Sequence, residues 1–111
     1  MDVDLKALEM TQLRVVADER KREKGRTNPA SSILKLKGSQ IRQQLTDLMM
    51  EVAGPNAVPH QRDFDGCNEE TIGPDYATEG APMHFNYHKV SIYTGCSEIQ
   101  HNIVAKAILG L

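Results

Sequence analysis

The C-terminal segment from Ser91 to Leu111 constrains the fold of this chain more than any other stretch. Gly95 stands where a sharp turn is needed, because glycine alone adopts a positive φ at little cost. Apolar residues then recur at helical spacing through a run without proline, namely Ile99, Ile103, Val104, Ala107 and Ile108. The segment therefore predicts a tight turn that opens a helix over residues 96–110, which is about four turns.

Both ends of this helix carry the residues expected of helix termini. Ser97 and Gln100 have the spacing of a capping box, in which two side chains satisfy orphan amide donors. Lys106 complements the dipole in the last turn, and Gly110 fits the C-cap. Such a turn presents backbone N–H groups and can bind an anion or an oxyanion. The same features also occur on ordinary packed helices, so they do not by themselves decide the function.

Two longer helices are predicted upstream. The first covers residues 2–24, with acidic residues near its start and a basic cluster near its end (Arg20, Lys21, Arg22 and Lys24). Acidic residues interleave with this cluster, which favours a solvated helix end over a phosphate patch. The second helix covers residues 29–53, with Asn28 as N-cap and Pro29 at the first helical position.

The second helix carries an apolar seam that consists of Leu34, Ile41, Leu45, Leu48 and Val52. Such a seam buries against another helix, and Gly38 within it would allow a close helix crossing. The first helix also has its apolar residues broadly on one side, namely Leu5, Leu8, Leu13, Val16 and Ala17. We expect these apolar sides of the first two helices to face helices outside this chain. The isolated chain is therefore predicted to self-associate.

Residues 54–82 form a long loop with four glycines, four prolines and six acidic residues against one arginine. A loop of this length is unusual in a compact domain and is normally functional or in need of a partner surface. A calcium site could be built from Asp63, Asp65, Glu69 and Glu70, but their spacing does not match an EF-hand loop. A third helix is predicted over residues 83–94; in it His84 and His88 have i, i+4 spacing, but no third metal ligand is evident. We predict no metal site.

Composition excludes several classes of protein. The net charge of −2 and only five aromatic residues, none of them Trp, argue against a nucleic-acid surface. No apolar run is long enough to cross a bilayer. Two cysteines, Cys67 and Cys96, form neither a metal motif nor a disulfide framework. The length of 111 residues predicts one domain, and the cysteine usage predicts a reducing compartment, the cytoplasm. The helices predicted above make that domain all-α.

Three stretches resemble one family in their order along the chain. IYTGCSEIQHNIVAKAILGL, from Ile92 to Leu111, closely resembles the C-terminal signature of the flavin-dependent acyl-CoA dehydrogenases, IYxGxSEIQxNIIAxxxLGL. Asn28 to Ile41 is similar to the family's helix with the pattern SxxKLxGSE, and EVAGPNA from Glu51 to Ala57 is similar to a helix-ending segment. The resemblance implies the C-terminal helical bundle of a longer family member, with three or four helices and one long loop.

The resemblance also implies a reaction, the α,β-dehydrogenation of an acyl-CoA thioester with hydride transfer to FAD. It places the backbone N–H of Thr94 at the thioester oxygen and Tyr93 beside the acyl pocket. Many family members carry the catalytic Glu at this position, but Thr94 cannot act as a general base near neutral pH. Either the base comes from another helix or this protein is the inactive member of a heteromeric pair.

Cofactor contacts follow from the same resemblance. Gly95, Cys96, Ser97 and Glu98 fall where the family's turn meets FAD, whereas Glu51, Gly54 and Pro55 fall where a neighbouring subunit approaches the dinucleotide. The family usually has Thr in place of Cys96. A carboxylate at Glu51 or Glu98 suits the dinucleotide only where it points to ribose or adenine.

The prediction is therefore the FAD- and acyl-CoA-contacting domain of an acyl-CoA dehydrogenase. It would act in a homo- or hetero-oligomer, with electron-transfer flavoprotein as electron acceptor. The insertion formed by residues 58–82 resembles that of bacterial acyl-CoA or pimeloyl-CoA dehydrogenase large subunits. The alternative is a non-catalytic helical subunit or interaction module. An independent start at Met1 would favour that alternative, whereas a longer upstream reading frame would favour the enzyme.

Overall fold

The computed structural model describes residues 1–21, 28–59 and 70–110. Over these residues the chain is all-α, without strands, which confirms the predicted fold class. Helix α1 spans Asp2–Glu19, α2 spans Pro29–Ala53, α3 spans Gly80–Tyr87 and α4 spans Ser97–Val104. Short 3₁₀ segments cover Gly54–Ala57, Asp75–Ala77 and His88–Ser91, and a π-helical turn covers Ala105–Leu109.

The chain divides into two compact units, Met1–Ile41 with Val90–Leu111 and Arg42–Lys89. In the first unit, α1 and the first part of α2 border a groove whose apolar lining includes Leu8, Ile33, Leu34 and Ile41. Val15 and Leu36 are buried, whereas Leu5 and Leu13 stay exposed. The apolar side of α1 is therefore only partly covered by the described residues.

The core of the second unit is built from small side chains. Ala53, Ala57 and Ala77 are buried together, and Met50 packs against them. Leu45, Leu48 and Val52, the later part of the predicted seam, remain 47%, 44% and 65% exposed. They border an apolar groove with Met49 and Tyr76. This unit thus pairs a tight alanine cluster with an open apolar face on α2.

The start of α2 follows the local sequence signals. The Ala30 N–H donates to Asn28 Oδ1 at 3.1 Å, so the Asn28 side chain accepts from the second helical residue, as an N-cap does. Pro29 occupies the first helical position, where its missing N–H costs nothing. The helix ends at Ala53, where Gly54 turns the chain with φ +55°. A β-carbon at Gly38 would meet nothing within 4 Å, so no close crossing occurs there among the described residues.

The other helices differ in extent from the predictions. Helix α1 ends at Glu19 and is followed by a turn at Arg20 and Lys21; residues 22–24 of the predicted helix lie outside the described residues. Helix α3 begins at Gly80 rather than at residue 83. Pro82 is compatible with this start, because it stands in the first helical turn, where backbone N–H groups have no intrahelical acceptor and the one that proline lacks is not missed. It ends at Tyr87, and the tighter 3₁₀ segment continues to Ser91.

Candidate functional site

The turn that precedes α4 contains two consecutive residues with positive φ. Thr94 has φ +55° and Gly95 has φ +93°. Gly95 adopts this conformation at little cost, as predicted, whereas a β-branched residue in the left-handed region is strained. Thr94 is the only non-glycine residue with positive φ among the described residues. Strain of this kind concentrates at functional positions, which makes the turn the first candidate site.

The N-terminus of α4 is not built as a capping box. Cys96 is the N-cap, with extended backbone (φ −62°, ψ 160°) and no capping side-chain bond, and Ser97 is already helical. The Ser97 hydroxyl instead donates to the Ser91 carbonyl at 3.3 Å, across the turn. The predicted box was wrong because the two left-handed residues place Cys96 at the helix boundary. Gly110 does end the C-terminal segment in the left-handed conformation, with φ +71°.

Two polar side chains of α2 bond to main-chain carbonyls on either side of the turn. Lys35 Nζ donates to the Gly95 carbonyl at 2.6 Å, across 60 residues of sequence. One helical turn further on, Ser39 Oγ lies 2.7 Å from the Lys35 carbonyl and 3.4 Å from the Val90 carbonyl. Neither residue was predicted to have a role in the site. The signal was present, since both belong to the pattern that resembles SxxKLxGSE.

The side chains of the turn face outward. Tyr93 is 46% exposed, which leaves its ring available to a ligand or partner rather than buried in the described core. Thr94 is exposed as well, and its hydroxyl donates to the Tyr93 carbonyl at 2.7 Å. The Thr94 side chain therefore satisfies its polar hydrogen locally and offers no proton acceptor of useful basicity.

Glu98 carries the one carboxyl of this turn. Hydrogen bonds to the carboxylate, first from its own backbone N–H and then from the Cys96 thiol, lower the pKa of Glu98 from its ordinary value. The positive charges of His101 and Lys35 act in the same direction more weakly. Because the group is fully exposed, solvent screens these interactions. Cys96 is a free cysteine that lies partly buried beside this carboxylate.

The remaining predicted cofactor residues lie in the second unit. Glu51 is exposed in the last turn of α2, and Pro55 is exposed in the 3₁₀ segment that follows. Gly54 joins the two with its positive φ. The structure therefore brings Thr94, Gly95, Cys96, Ser97 and Glu98 together in one turn, and Glu51, Gly54 and Pro55 together in another.

The two histidines of α3 lie side by side, with ring centroids 4.6 Å apart. His84 Nδ1 lies 3.0 Å from Asp47 Oδ1, a contact that is an ion pair only when the imidazole is protonated. His88 Nδ1 lies 2.8 Å from the His84 carbonyl. Among residues 1–21, 28–59 and 70–110, no group of three His, Cys, Asp or Glu side chains could hold a metal ion. Asp63, Asp65 and Glu69 of the calcium hypothesis lie outside those ranges, as does Cys67.

A family model for the C-terminal domain of acyl-CoA dehydrogenases matches residues 1–109. The chain belongs to the acyl-CoA dehydrogenase family. It carries that family's C-terminal domain, as the three sequence stretches predicted. Searches of curated proteins and of solved structures find no match for this acyl-CoA dehydrogenase domain. No helix among its described residues combines the length and the hydropathy needed to span a bilayer.

Proposed function

We propose that this chain forms one side of the acyl-CoA and FAD site in a flavin-dependent acyl-CoA dehydrogenase. The observation that carries the proposal is the strained turn at Thr94 and Gly95, which opens α4 inside the family's C-terminal domain. Such a turn fixes the direction of backbone N–H groups before a ligand arrives. Preorganised donors of this kind stabilise charge that develops in a transition state.

In this reaction the turn would act on the thioester oxygen of the substrate. When a base removes the α-proton of an acyl thioester, enolate-like charge develops on that oxygen. We assign the stabilising donor to the backbone N–H of Thr94; removal of one such donor typically costs about 10²- to 10³-fold in rate. FAD, when bound, would supply the hydride acceptor for the β-hydrogen. Tyr93, with its exposed ring, would border the acyl chain.

The base in this proposal lies elsewhere in the protein. Thr94 has a hydroxyl where many family members have Glu, and that hydroxyl already donates to the Tyr93 carbonyl. Glu98, the nearest carboxyl in the sequence, has a lowered pKa and is therefore a weak base. A carboxylate from another helix of the enzyme is the simplest source.

The residues around α4 fit the polar part of FAD. The first turn of an α-helix leaves backbone N–H donors without intrahelical acceptors, and Cys96 does not cap them. A dinucleotide can use such donors. The Glu98 carboxylate would repel a pyrophosphate but can accept a ribose hydroxyl. Gly95, Cys96, Ser97 and Glu98 would thus contact FAD, and Glu51, Gly54 and Pro55 would meet the FAD of a neighbouring subunit.

This assignment implies specific partners. We propose acyl-CoA as substrate, electron-transfer flavoprotein as acceptor, a homo- or hetero-oligomer through the helical domain, and the cytoplasm as compartment. Leu45, Leu48 and Val52 offer an exposed apolar face that such an assembly would cover.

The test is flavin reduction in the full-length protein that contains this chain, purified alone and with any homologous partner subunit. We expect bound FAD to bleach when the matching member of an acyl-CoA panel is added without oxygen. Bound FAD that no acyl-CoA bleaches, with or without the partner, would contradict the proposal.

The Thr94 side chain also favours a second candidate, a non-catalytic subunit of a heteromeric dehydrogenase. In that case Thr94→Glu would place a carboxylate at the family's base position and create bleaching where the wild type has none. Thr94→Gln is the matched control, because it has the same size without a base. An enzyme whose base lies on another helix would instead bleach before any substitution.

A further inference from the structure

We propose that Lys35 is a positioning residue, which holds the Gly95 peptide so that the Thr94 N–H points in one direction. The inference rests on the proposed function, since it deepens the role of the same turn. It concerns a residue of α2 to which no contact with substrate or cofactor is assigned above.

The contact between Lys35 and Gly95 is short and charged. Nζ lies 2.6 Å from the Gly95 carbonyl oxygen, and charge-assisted hydrogen bonds of this kind are shorter and stronger than neutral ones. Gly95 is the residue of the turn with the greatest conformational freedom. A fixed carbonyl therefore removes the freedom that the glycine would otherwise give to the turn.

A second contact holds the other end of the turn. Ser39 is buried, and its hydroxyl lies 3.4 Å from the Val90 carbonyl while it bonds to the carbonyl of Lys35. Lys35 and Ser39 are four residues apart, so they lie on the same side of α2. One side of one helix thus holds the Gly95 carbonyl firmly and contacts the Val90 carbonyl weakly, since Ser39 has one hydroxyl hydrogen and the Lys35 carbonyl is the nearer acceptor.

The effect on catalysis follows from preorganisation. An oxyanion donor is effective when it needs no reorganisation at the moment of reaction. Small displacements of a reacting geometry can cost about 10²-fold in rate even when the substitution is remote. The Gly95 carbonyl belongs to the Gly95–Cys96 peptide, two peptide units after the one that carries the Thr94 N–H. Loss of the Lys35 bond frees the backbone dihedrals of Gly95, so that the whole turn moves and the Thr94 N–H points at the thioester oxygen only part of the time.

Three variants distinguish the loss of the Lys35 contact from a mere change in net charge. Lys35→Met removes the donor and the charge, and Lys35→Arg keeps both. Lys37→Met is the matched control, because Lys37 is an exposed residue of the same helix and the net charge changes equally. The first measurement is amide hydrogen exchange of residues 92–98 in the purified protein. The second is steady-state oxidation of the preferred acyl-CoA.

We expect Lys35→Met to raise exchange of the turn amides at least tenfold. We expect it to lower kcat and kcat/KM together by about tenfold, because the interaction acts in the transition state. Lys35→Arg should recover both to within about threefold, and Lys37→Met should match the wild type. A selective rise in KM would mean that Lys35 binds ligand directly and would overturn the proposal.

The exchange measurement also separates this inference from the proposed function. If the wild type oxidises no acyl-CoA, the proposed function fails, yet exchange still decides whether Lys35 orders the turn. Unchanged exchange in Lys35→Met overturns the inference whatever the activity.

Discussion

Thr94→Asn should stabilise the protein although it alters the most strained residue of the candidate site. A side chain with a β-carbon pays about 1–2 kcal/mol for the left-handed conformation. Thr94, with φ +55°, bears this cost as a β-branched residue. Asparagine is several-fold enriched at positive φ, so we expect it to recover about half of the cost, roughly 0.5–1 kcal/mol.

One contact offsets part of this gain. The Thr94 hydroxyl donates to the Tyr93 carbonyl at 2.7 Å, an exposed bond whose loss costs about 0.5 kcal/mol at most. The asparagine side chain can form a comparable local bond, which leaves a net gain of about 0.5 kcal/mol. Thr94→Gly should be close to neutral, because the relief of strain is offset by the roughly 0.5–1 kcal/mol entropic cost of glycine together with the loss of the hydroxyl bond, about 0.5 kcal/mol.

The assay is urea unfolding followed by circular dichroism, with stabilities compared at equal denaturant dependence. Thr78→Asn serves as control, because Thr78 also donates to a main-chain carbonyl but has φ −62°. It should gain nothing. If Thr94→Asn lowers the free energy of unfolding by more than about 0.5 kcal/mol, Thr94 is not strained in the way described. The same holds if Thr78→Asn stabilises the protein as much as Thr94→Asn does.

Four further predictions concern other parts of the structure. Gly95→Ala should cost about 1–2 kcal/mol, because Gly95 has φ +93° and a side chain there is strained. Gly110→Ala, at φ +71°, should cost somewhat less, because its β-carbon would meet nothing within 4 Å whereas that of Gly95→Ala must displace the Gln100 amide; urea midpoints compare the two. Gly80→Ala should stabilise by about 0.5–1 kcal/mol, because its methyl group would lie 3.6 Å from a methionine sulfur, an ordinary contact, and a lower melting temperature would refute this. A carboxyl with a lowered folded-state pKa adds stability above its unfolded pKa and loses it as the pH falls through the folded value. In Glu98→Gln the free energy of unfolding should therefore fall less than in the wild type as the pH drops below about 4.5, measured by urea titration at each pH. Leu48→Gln should reduce self-association in sedimentation velocity, since Leu48 is 44% exposed on an apolar face; an unchanged concentration dependence would exclude that face.

Local signals in the sequence predicted much of this fold. Helix α2 begins where Asn28 caps it and ends before Gly54, because caps and breakers act within a few residues. The turn at Gly95 was predicted for the same reason. Each of these features is set by the identity of one or two neighbouring residues.

Other features depend on contacts that spacing cannot reveal. The bond between Lys35 and Gly95 joins positions 60 residues apart, and nothing in the pattern of either segment identifies the other as its partner. The capping box failed because the Thr94 conformation, which propensity opposes, moved the boundary of α4 to Cys96. Strained residues are held by surrounding structure, so local preference mispredicts them.

The three longer-range contacts that hold the turn, from Lys35, Ser39 and Ser97, all end on main-chain carbonyl oxygens. Every amino acid supplies such an oxygen, so these contacts do not depend on the identity of the side chains between them. Residues 92–94 are all exposed, so we expect their side chains to be exchangeable while the backbone path is retained, with the positive φ at Thr94 setting the cost there. Evolvability and foldability are therefore separate at this turn. A carboxylate, a hydroxyl or an aromatic ring can occupy any of these three adjacent positions, while the contacts that hold the backbone before α4 stay the same.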